Sequence, residues 1–109
     1  MSAKLSTHVL DTVIGRPAQG MKIELRSLDG GSLIKSTIKN SDGRTDAPML
    51  GESEMQTGVY ELTFYVGDYF GQKQFLDTVP VRFVIDDATA SYHVPLLCSP
   101  WAYSTYRGS

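Results

Sequence analysis

The feature that most constrains the fold of this chain is a regular alternation of apolar and polar residues in several short segments. Residues 21–26 alternate without a break, and residues 59–66 place apolar side chains at every second position. A period of two puts successive side chains on opposite faces, as in a β-strand with one buried face. The same reasoning predicts strands at residues 5–11, 32–39, 81–85, 91–98 and 101–105.

Turn-forming residues separate these segments. Asp29-Gly30-Gly31 lies between two strand patterns and predicts a hairpin, because glycine adopts the positive φ angles of tight turns. Further reversals are predicted at residues 40–43 and 86–89, and one short helix at residues 68–74, with Asp68 as its N-cap. The pattern therefore predicts about seven or eight strands in an all-β sandwich with Greek-key-like connections.

Length and composition predict one ordinary globular domain that spans residues 1–109. With 41% hydrophobic and 20% charged residues, the chain has enough apolar material for a core and too little charge for a disordered segment. The net charge of −2 gives no field that would attract nucleic acid or anionic lipid. No apolar run approaches the ~20 residues that cross a bilayer, so neither a nucleic-acid nor a membrane partner is predicted.

The single cysteine, Cys98, excludes an internal disulfide and fits a reducing compartment. The first residues lead directly into a strand pattern, so no signal peptide is predicted. We therefore expect a cytoplasmic protein, or a periplasmic one if a presequence has been removed.

Both histidines fall on predicted outer faces, where free solvent would favour charged residues. In segment 91–98, His93 lies opposite the core face and has apolar neighbours, and His8 has the same position in segment 5–11. Partly apolar outer faces usually mark an interface. Either histidine alone is also compatible with an incidental surface position. Cys98 falls on the core face.

Several segments of the chain match a known pattern when they are taken together. They are Leu5-Ser6-Thr7-His8-Val9-Leu10-Asp11, Gly15-Arg16-Pro17-Ala18, Asp42-Gly43-Arg44-Thr45, Tyr92-His93-Val94-Pro95-Leu96-Leu97 with Ser99-Pro100, and the terminal Tyr106-Arg107-Gly108-Ser109. This set resembles the transthyretin-related 5-hydroxyisourate hydrolases over nearly the whole chain. The terminal tetrapeptide is the most specific element, because it separates the hydrolases from hormone-carrying transthyretins of the same fold.

The resemblance implies a transthyretin-like β-sandwich of two four-stranded sheets with one short helix. It implies an enzyme that needs no cofactor and opens a cyclic amide of 5-hydroxyisourate, giving 2-oxo-4-hydroxy-4-carboxy-5-ureidoimidazoline in urate degradation. It also implies a homotetramer whose sites lie in clefts between subunits. Two alternatives stay open: a transthyretin-like carrier of a small aromatic ligand, and a monomeric structural or adhesion module.

The resemblance also implies that both histidines take part in the chemistry. Hydrolysis of a cyclic amide needs an activated water, a stabilised oxyanion and a proton for the leaving nitrogen. Histidine exchanges protons near neutral pH. No serine or cysteine nucleophile motif is visible, so direct attack by water is favoured over a covalent intermediate. His8 is the preferred general base, and His93 orients the substrate or relays the proton.

The remaining site residues follow from the same resemblance. Arg44 is predicted to bind and polarise the carbonyl-rich anionic ring, since a guanidinium is a planar, permanently charged donor. Tyr106 is expected to contact or cover the ligand, and Arg107 to hydrogen-bond it or to anchor the tail. Ser109 contributes its hydroxyl and the terminal carboxylate, which can orient or polarise a histidine.

No metal is predicted to take part. The two histidines have no aspartate or glutamate at ligand spacing, which gives little support for a metal requirement. If His8 and His93 converge, they can still capture an adventitious zinc ion.

Overall fold

In the computed structural model the strands form two β-sheets, in which most pairs are antiparallel. The structure describes residues 3–38, 40, 43, 45, 47–71 and 73–108. In chain order the elements are β1 (Leu5–Asp11), β2 (Arg16–Pro17), β3 (Lys22–Ser27), β4 (Leu33–Ile38), a 3₁₀ turn (Glu52–Glu54), β5 (Gly58–Phe64), α1 (Val66–Phe70), β6 (Val79–Ile85), β7 (Tyr92–Cys98) and β8 (Tyr103–Thr105).

Each sheet has four strands. Sheet A has the order β2-β1-β7-β8, and sheet B has the order β4-β3-β5-β6. Strands β1 and β7 run parallel, whereas every other pair is antiparallel. The predicted sandwich of two four-stranded sheets with one short helix is therefore confirmed. The parallel pair joins the two segments that carry the histidines.

The core lies between the sheets and is made by the inner residues of the alternating strands. In β5 the predicted inner residues Tyr60, Leu62 and Phe64 are all buried. In β7 the buried inner residues include Cys98, which is 1% exposed, as the alternation predicted. Burying a large apolar side chain contributes about 1.5–3 kcal/mol, so these inner faces hold the sheets together.

The connections agree with the predicted turns in part. The β3–β4 hairpin turns at Asp29-Gly30-Gly31, with Gly31 at φ +69°. The predicted reversal at residues 86–89 lies within the connection between β6 and β7, residues 86–91. The predicted reversal at residues 40–43 lies partly outside the described residues, since Ser41 and Asp42 are not described.

The helix prediction was wrong in its bounds and its cap. Helix α1 begins at Val66 rather than Asp68, and Tyr65 is its N-cap, so Asp68 lies inside the first turn. Val66 is fully buried as the first helical residue, so tertiary packing starts the helix earlier than the polar cap signal indicated. Gly71 ends the helix in the left-handed conformation at φ +76°.

Two details of sheet A were not anticipated. Strand β2 pairs Arg16 and Pro17 with the end of β1, at a position where no strand was predicted. The strand predicted from residue 101 begins at Tyr103, and pairing resumes at Gly108 as an isolated bridge to His93. No helix in the described part of the chain has the length and apolar character needed to cross a membrane.

Candidate functional site on the outer face of sheet A

The parallel pairing of β1 with β7 brings both histidines to one surface. In its register Ser6 lies opposite His93, and His8 lies opposite Pro95. The histidines thus occupy diagonal positions on adjacent strands, which are ~4.8 Å apart and advance ~6.6 Å per two residues. Both side chains are half-buried. We call this surface, formed by Ser6, His8, His93, Pro95 and the facing tail residues, the histidine face.

The C-terminal tail extends the histidine face by one more strand. The β7–β8 register pairs Leu96 with Thr105, and the bridge between His93 and Gly108 keeps the same register. This places Tyr106 opposite Pro95, on the side of the sheet that carries both histidines. Tyr106 is 60% exposed there. The described tail, as far as Gly108, is therefore held against β7.

Hydrogen bonds fasten the tail to the strand that carries His93. The Thr105 hydroxyl donates to the Pro95 carbonyl at 2.7 Å, and the Gly108 N–H donates to the His93 carbonyl at 2.7 Å. A Cβ atom on Gly108 would lie 2.5 Å from Cδ2 of His93, closer than real contacts allow. Glycine is needed at this position because the backbone approaches the imidazole so closely.

The imidazole of His93 is held on its other edge by a serine. The Ser6 Oγ lies 2.9 Å from Nδ1 of His93, within hydrogen-bond distance. Ser6 was not among the site residues predicted from the sequence. Its position two residues before His8 was visible, but its partner is 87 residues away and is revealed only by the parallel register.

Arg107 lies on the opposite side of sheet A from the histidines. Its guanidinium stacks over the Tyr92 ring at 4.3 Å from the centroid, and Nη2 donates to the Ser91 carbonyl at 3.4 Å. Tyr92 is an inner residue whose hydroxyl donates to Asp86 at 2.6 Å. Within one chain, therefore, the structure brings His8, His93 and Tyr106 to one face and directs Arg107 to the other.

A cavity of about 330 Å³ lies on that inner side, between β6 and the tail. Its lining includes Val81, Phe83, Tyr92, Val94 and Arg107. Tyr106, which lies on the histidine face by register, also borders the cavity, so the two surfaces meet at this tyrosine.

Two predicted site residues, Arg44 and Ser109, lie outside the described residues. The residue before Arg44 is described: the Gly43 carbonyl accepts a hydrogen bond from the Val9 N–H at 2.9 Å. Gly43 has φ +70°, and a Cβ there would lie 2.5 Å from the Val9 carbonyl oxygen. The loop is therefore fixed at Gly43 beside the strand that carries His8, and only glycine fits there.

Beneath the histidine face, a buried cluster closes the end of β1. Asp11 is 4% exposed and accepts hydrogen bonds from the Val13 N–H at 2.9 Å and the Tyr69 hydroxyl at 2.8 Å. Burial, followed by the Asp11 hydrogen bond, raises the pKa of Tyr69 to about 12. Burial also raises the pKa of Cys98 to about 12, so its thiol stays protonated and is a poor nucleophile at neutral pH.

Among the residues that the structure describes, no group of three or more histidine, cysteine, aspartate or glutamate side chains is arranged to hold a metal ion. The chemistry that this face can support is proton exchange by imidazole and hydrogen bonding by hydroxyl groups.

Comparisons with known proteins agree on one family. The family model described as the HIUase/Transthyretin family matches residues 5–108. The chain is 54% identical over 117 aligned positions to 5-hydroxyisourate hydrolase 2 of Rhizobium meliloti (strain 1021), covering 99% of this chain and 98% of that protein.

Solved structures agree with that match. The chain is similar to the structure of Klebsiella pneumoniae 5-hydroxyisourate hydrolase, with a TM-score of 0.85, 33% identity and coverage of 98% of this chain and 94% of that one. It is also similar to the crystal structure of (S)-allantoin synthase, with a TM-score of 0.92, 45% identity and coverage of 98% of this chain. The chain spans only 44% of the (S)-allantoin synthase chain. With this fold, this histidine face and these similarities, the chain belongs to the HIUase/Transthyretin family.

Proposed function

We propose that this protein is a 5-hydroxyisourate hydrolase, which opens a cyclic amide of its substrate by attack of water. The observation that carries the proposal is the parallel register of β1 and β7, which places His8 and His93 on one outer face under a pinned tail. Family membership and the high identity to named 5-hydroxyisourate hydrolases supply the substrate. The substrate is a small molecule.

We assign the general-base role to His8 and a proton-relay or orienting role to His93. Imidazole takes up and returns a proton close to neutral pH, and this exchange typically contributes 10²–10⁴-fold to a rate. The buried, protonated thiol of Cys98 lies on the inner face, which supports direct attack by water rather than a thiol intermediate.

Arg44 and the tail complete the proposed site. Arg44 binds the anionic ring and polarises the attacked carbonyl, and its neighbour Gly43 is fixed beside Val9 in the strand that carries His8. Tyr106 shares the histidine face by register and contacts the ligand. Ser109 supplies a hydroxyl. The stacking of Arg107 on Tyr92 of its own chain supports a role in holding the tail in place.

We further propose that four copies assemble, with each site built by more than one subunit. Apolar residues flank the histidines on the outer face, and Val13 and Ile14 beside β1 are 63% and 57% exposed. Exposed apolar surface of this kind is typical of an interface. Light scattering should give about four times the 12.0 kDa chain mass, whereas a value near 12.0 kDa would contradict the assembly.

The decisive experiment is a rate measurement on freshly made substrate. Urate oxidase generates 5-hydroxyisourate from urate, and its ultraviolet absorbance then decays spontaneously. The assembled protein should accelerate this decay in proportion to its concentration. Decay at the spontaneous rate, together with tight thyroxine binding, would instead favour a carrier.

A further inference from the structure

Ser6 lies on the outer face of β1, in contact with the imidazole of His93. It is half-buried, lies directly opposite His93 in the parallel pair, and places Oγ 2.9 Å from Nδ1 of that histidine. None of the roles proposed above involves Ser6.

The covalent geometry of imidazole makes the contact informative. Nδ1 and Cδ2 both bond to Cγ, so they lie on opposite edges of the ring. Ser6 faces the Nδ1 edge, and Gly108 faces the Cδ2 edge so closely that an added Cβ would lie 2.5 Å from Cδ2. The ring of His93 therefore sits in a slot between β1 and the tail.

A slot alone does not decide which way the ring faces, because rotation by a half turn about the Cβ–Cγ bond leaves the ring shape almost unchanged. That rotation would place Cδ2 against the Ser6 hydroxyl and Nδ1 against Gly108. Only the unrotated ring makes the hydrogen bond to Ser6. The Ser6 hydroxyl thus selects one orientation of the His93 ring by hydrogen bonding, while close contact with Gly108 limits the movement of the ring.

We infer that Ser6 is a positioning residue that fixes the ring orientation of His93 through Nδ1 and thereby commits Nε2 to proton exchange with substrate or water. A hydroxyl both donates and accepts, so it can stay bonded to Nδ1 in either neutral tautomer and in the imidazolium. The contact therefore survives a change of protonation at His93. The catalytic consequence rests on the proposed hydrolase function, whereas the hydrogen bond and its effect on the ring do not.

The direct test reads the imidazole by ¹⁵N nuclear magnetic resonance of histidine-labelled protein. The set comprises the wild type, Ser6→Ala, Ser6→Thr and the control Ser36→Ala, which removes an exposed hydroxyl from β4 of the other sheet. His8→Gln assigns the two histidines. With the hydrogen bond to Nδ1 lost, Ser6→Ala should shift the Nδ1 resonance of His93 and raise the population of the rotated ring about 2- to 10-fold, as read from nuclear Overhauser contacts between the Cδ2 proton and Gly108. Ser6→Thr should restore the wild-type resonance and ring population, and Ser36→Ala should leave both unchanged.

Kinetics provide the second readout. Ser6→Ala should lower kcat on 5-hydroxyisourate about 2- to 10-fold with little change in KM, because the ring orientation and not the binding contacts is altered. Ser6→Thr should recover kcat. If Ser6→Ala does not fold, the Ser6→Thr and Ser6→Val pair, which differ in the hydroxyl at nearly equal volume, provides the same comparison.

Three results separate this inference from the proposed function. An altered His93 ring in Ser6→Ala, in a protein that does not accelerate substrate decay, would support the inference about the ring and overturn the hydrolase assignment. An unchanged ring and unchanged kcat in Ser6→Ala, in an active enzyme, would overturn the inference alone. A covalent adduct on Ser6 trapped during turnover would also overturn it, since Ser6 would then be the nucleophile.

Discussion

The outer faces of the two sheets arise from the same alternation but carry different chemistry. On sheet B, Glu24 accepts hydrogen bonds from the Tyr65 hydroxyl at 2.7 Å and from Arg26 at 3.2 Å, with Lys22 at 3.8 Å. Each charge in this group has an opposite charge or a donor in the same chain. The charges in this group are therefore all paired within one chain.

Among the residues that the structure describes, the histidine face of sheet A carries no comparable set of charges. Apart from the two histidines, Asp11 is the one acidic or basic residue within β1 and β7, and it points into the core with 4% exposure. The outer positions carry imidazoles beside Leu10 and Leu97. The difference shows that alternation specifies which face is outside, whereas the residue types on that face indicate whether it meets solvent or performs chemistry.

The largest effect that tests this comparison is on activity. His8→Ala and His93→Ala should each lower kcat/KM for 5-hydroxyisourate at least ~10²-fold, because each removes a group that exchanges or directs a proton. Lys22→Ala on the outer face of sheet B should leave the rate within about twofold. Substrate decay assays on folded variants provide the measurement. Equal losses in all three variants would indicate that the two faces do not differ in function.

The next largest effect concerns the slot that holds His93. Gly108→Ala should lower kcat/KM about 10-fold and stability by about 1–3 kcal/mol, because its methyl group collides with the imidazole. Gly30→Ala is the matched control, since the nearest atom to its Cβ is Ser32 Oγ at 3.8 Å. Activity and urea unfolding should be measured on both variants. Full activity in Gly108→Ala would show that the tail does not constrain His93.

A smaller effect is expected for the charged face of sheet B. The Tyr65 hydrogen bond, with the nearby Lys22 and Arg26 charges, holds the pKa of Glu24 below its ordinary value of 4.5. A lowered folded-state pKa stabilises the protein fully above pH 4.5 and loses that contribution as the pH falls below it. Glu24→Gln should therefore cost about 1–2 kcal/mol at pH 7.

The stability difference between wild type and Glu24→Gln should shrink as the pH falls from 4.5, while activity at pH 7 stays near the wild-type value. Urea unfolding between pH 3 and pH 7, at one protein concentration, gives the curve. A difference that is constant across this range would show that the Glu24 carboxylate does not stabilise the fold through its charge.

The smallest expected effect lies in the interior beneath the histidine face. Burial raises the pKa of Cys98 from 9.0 to about 12, so above pH 9 the unfolded chain loses this proton while the folded chain retains it. Stability contributed by the protonated thiol is therefore lost as the pH rises from 9 toward 12. Cys98→Ala should be less stable by about 1 kcal/mol at pH 7.

The stability deficit of Cys98→Ala relative to the wild type should become smaller above pH 9, because the variant has no thiol to ionise. The two largest causes of the raised Tyr69 pKa, burial and the Asp11 hydrogen bond, do not involve Cys98, so the difference between the two proteins reports mainly on the thiol. Unfolding by urea at pH 7.5 and pH 10.5 measures the change. An equal deficit at both pH values would contradict a protonated buried thiol.

Much of the sandwich was predictable because alternation is a local property of the chain. The inner residues of β5 and β7 and the β3–β4 turn followed from residue order alone. The helix was misplaced because burial of Val66, a tertiary effect, outweighed the capping preference of Asp68. The two-residue strand β2 is too short to produce a periodic signal.

The candidate site was predictable in its residue types and only partly in its geometry. The resemblance identified His8, His93 and Tyr106, and the register places all three on one face. It did not identify Ser6, and it left open whether Arg107 contacts the ligand or anchors the tail. The stacking of Arg107 on Tyr92 depends on the face to which residue 107 points, which is set by pairing between strands.

By itself, the sequence determined most of the strands, the buried face of alternating strands such as β5 and β7, and the family to which the chain belongs, since period, turn residues and motifs are properties of the linear chain. Tertiary structure decided which outer residues meet. The parallel pairing of β1 with β7 and the return of the tail bring Ser6, His93 and Gly108 into one row across the sheet. Contacts between residues 87 positions apart depend on strand order and register, and these are fixed by packing of the whole sandwich.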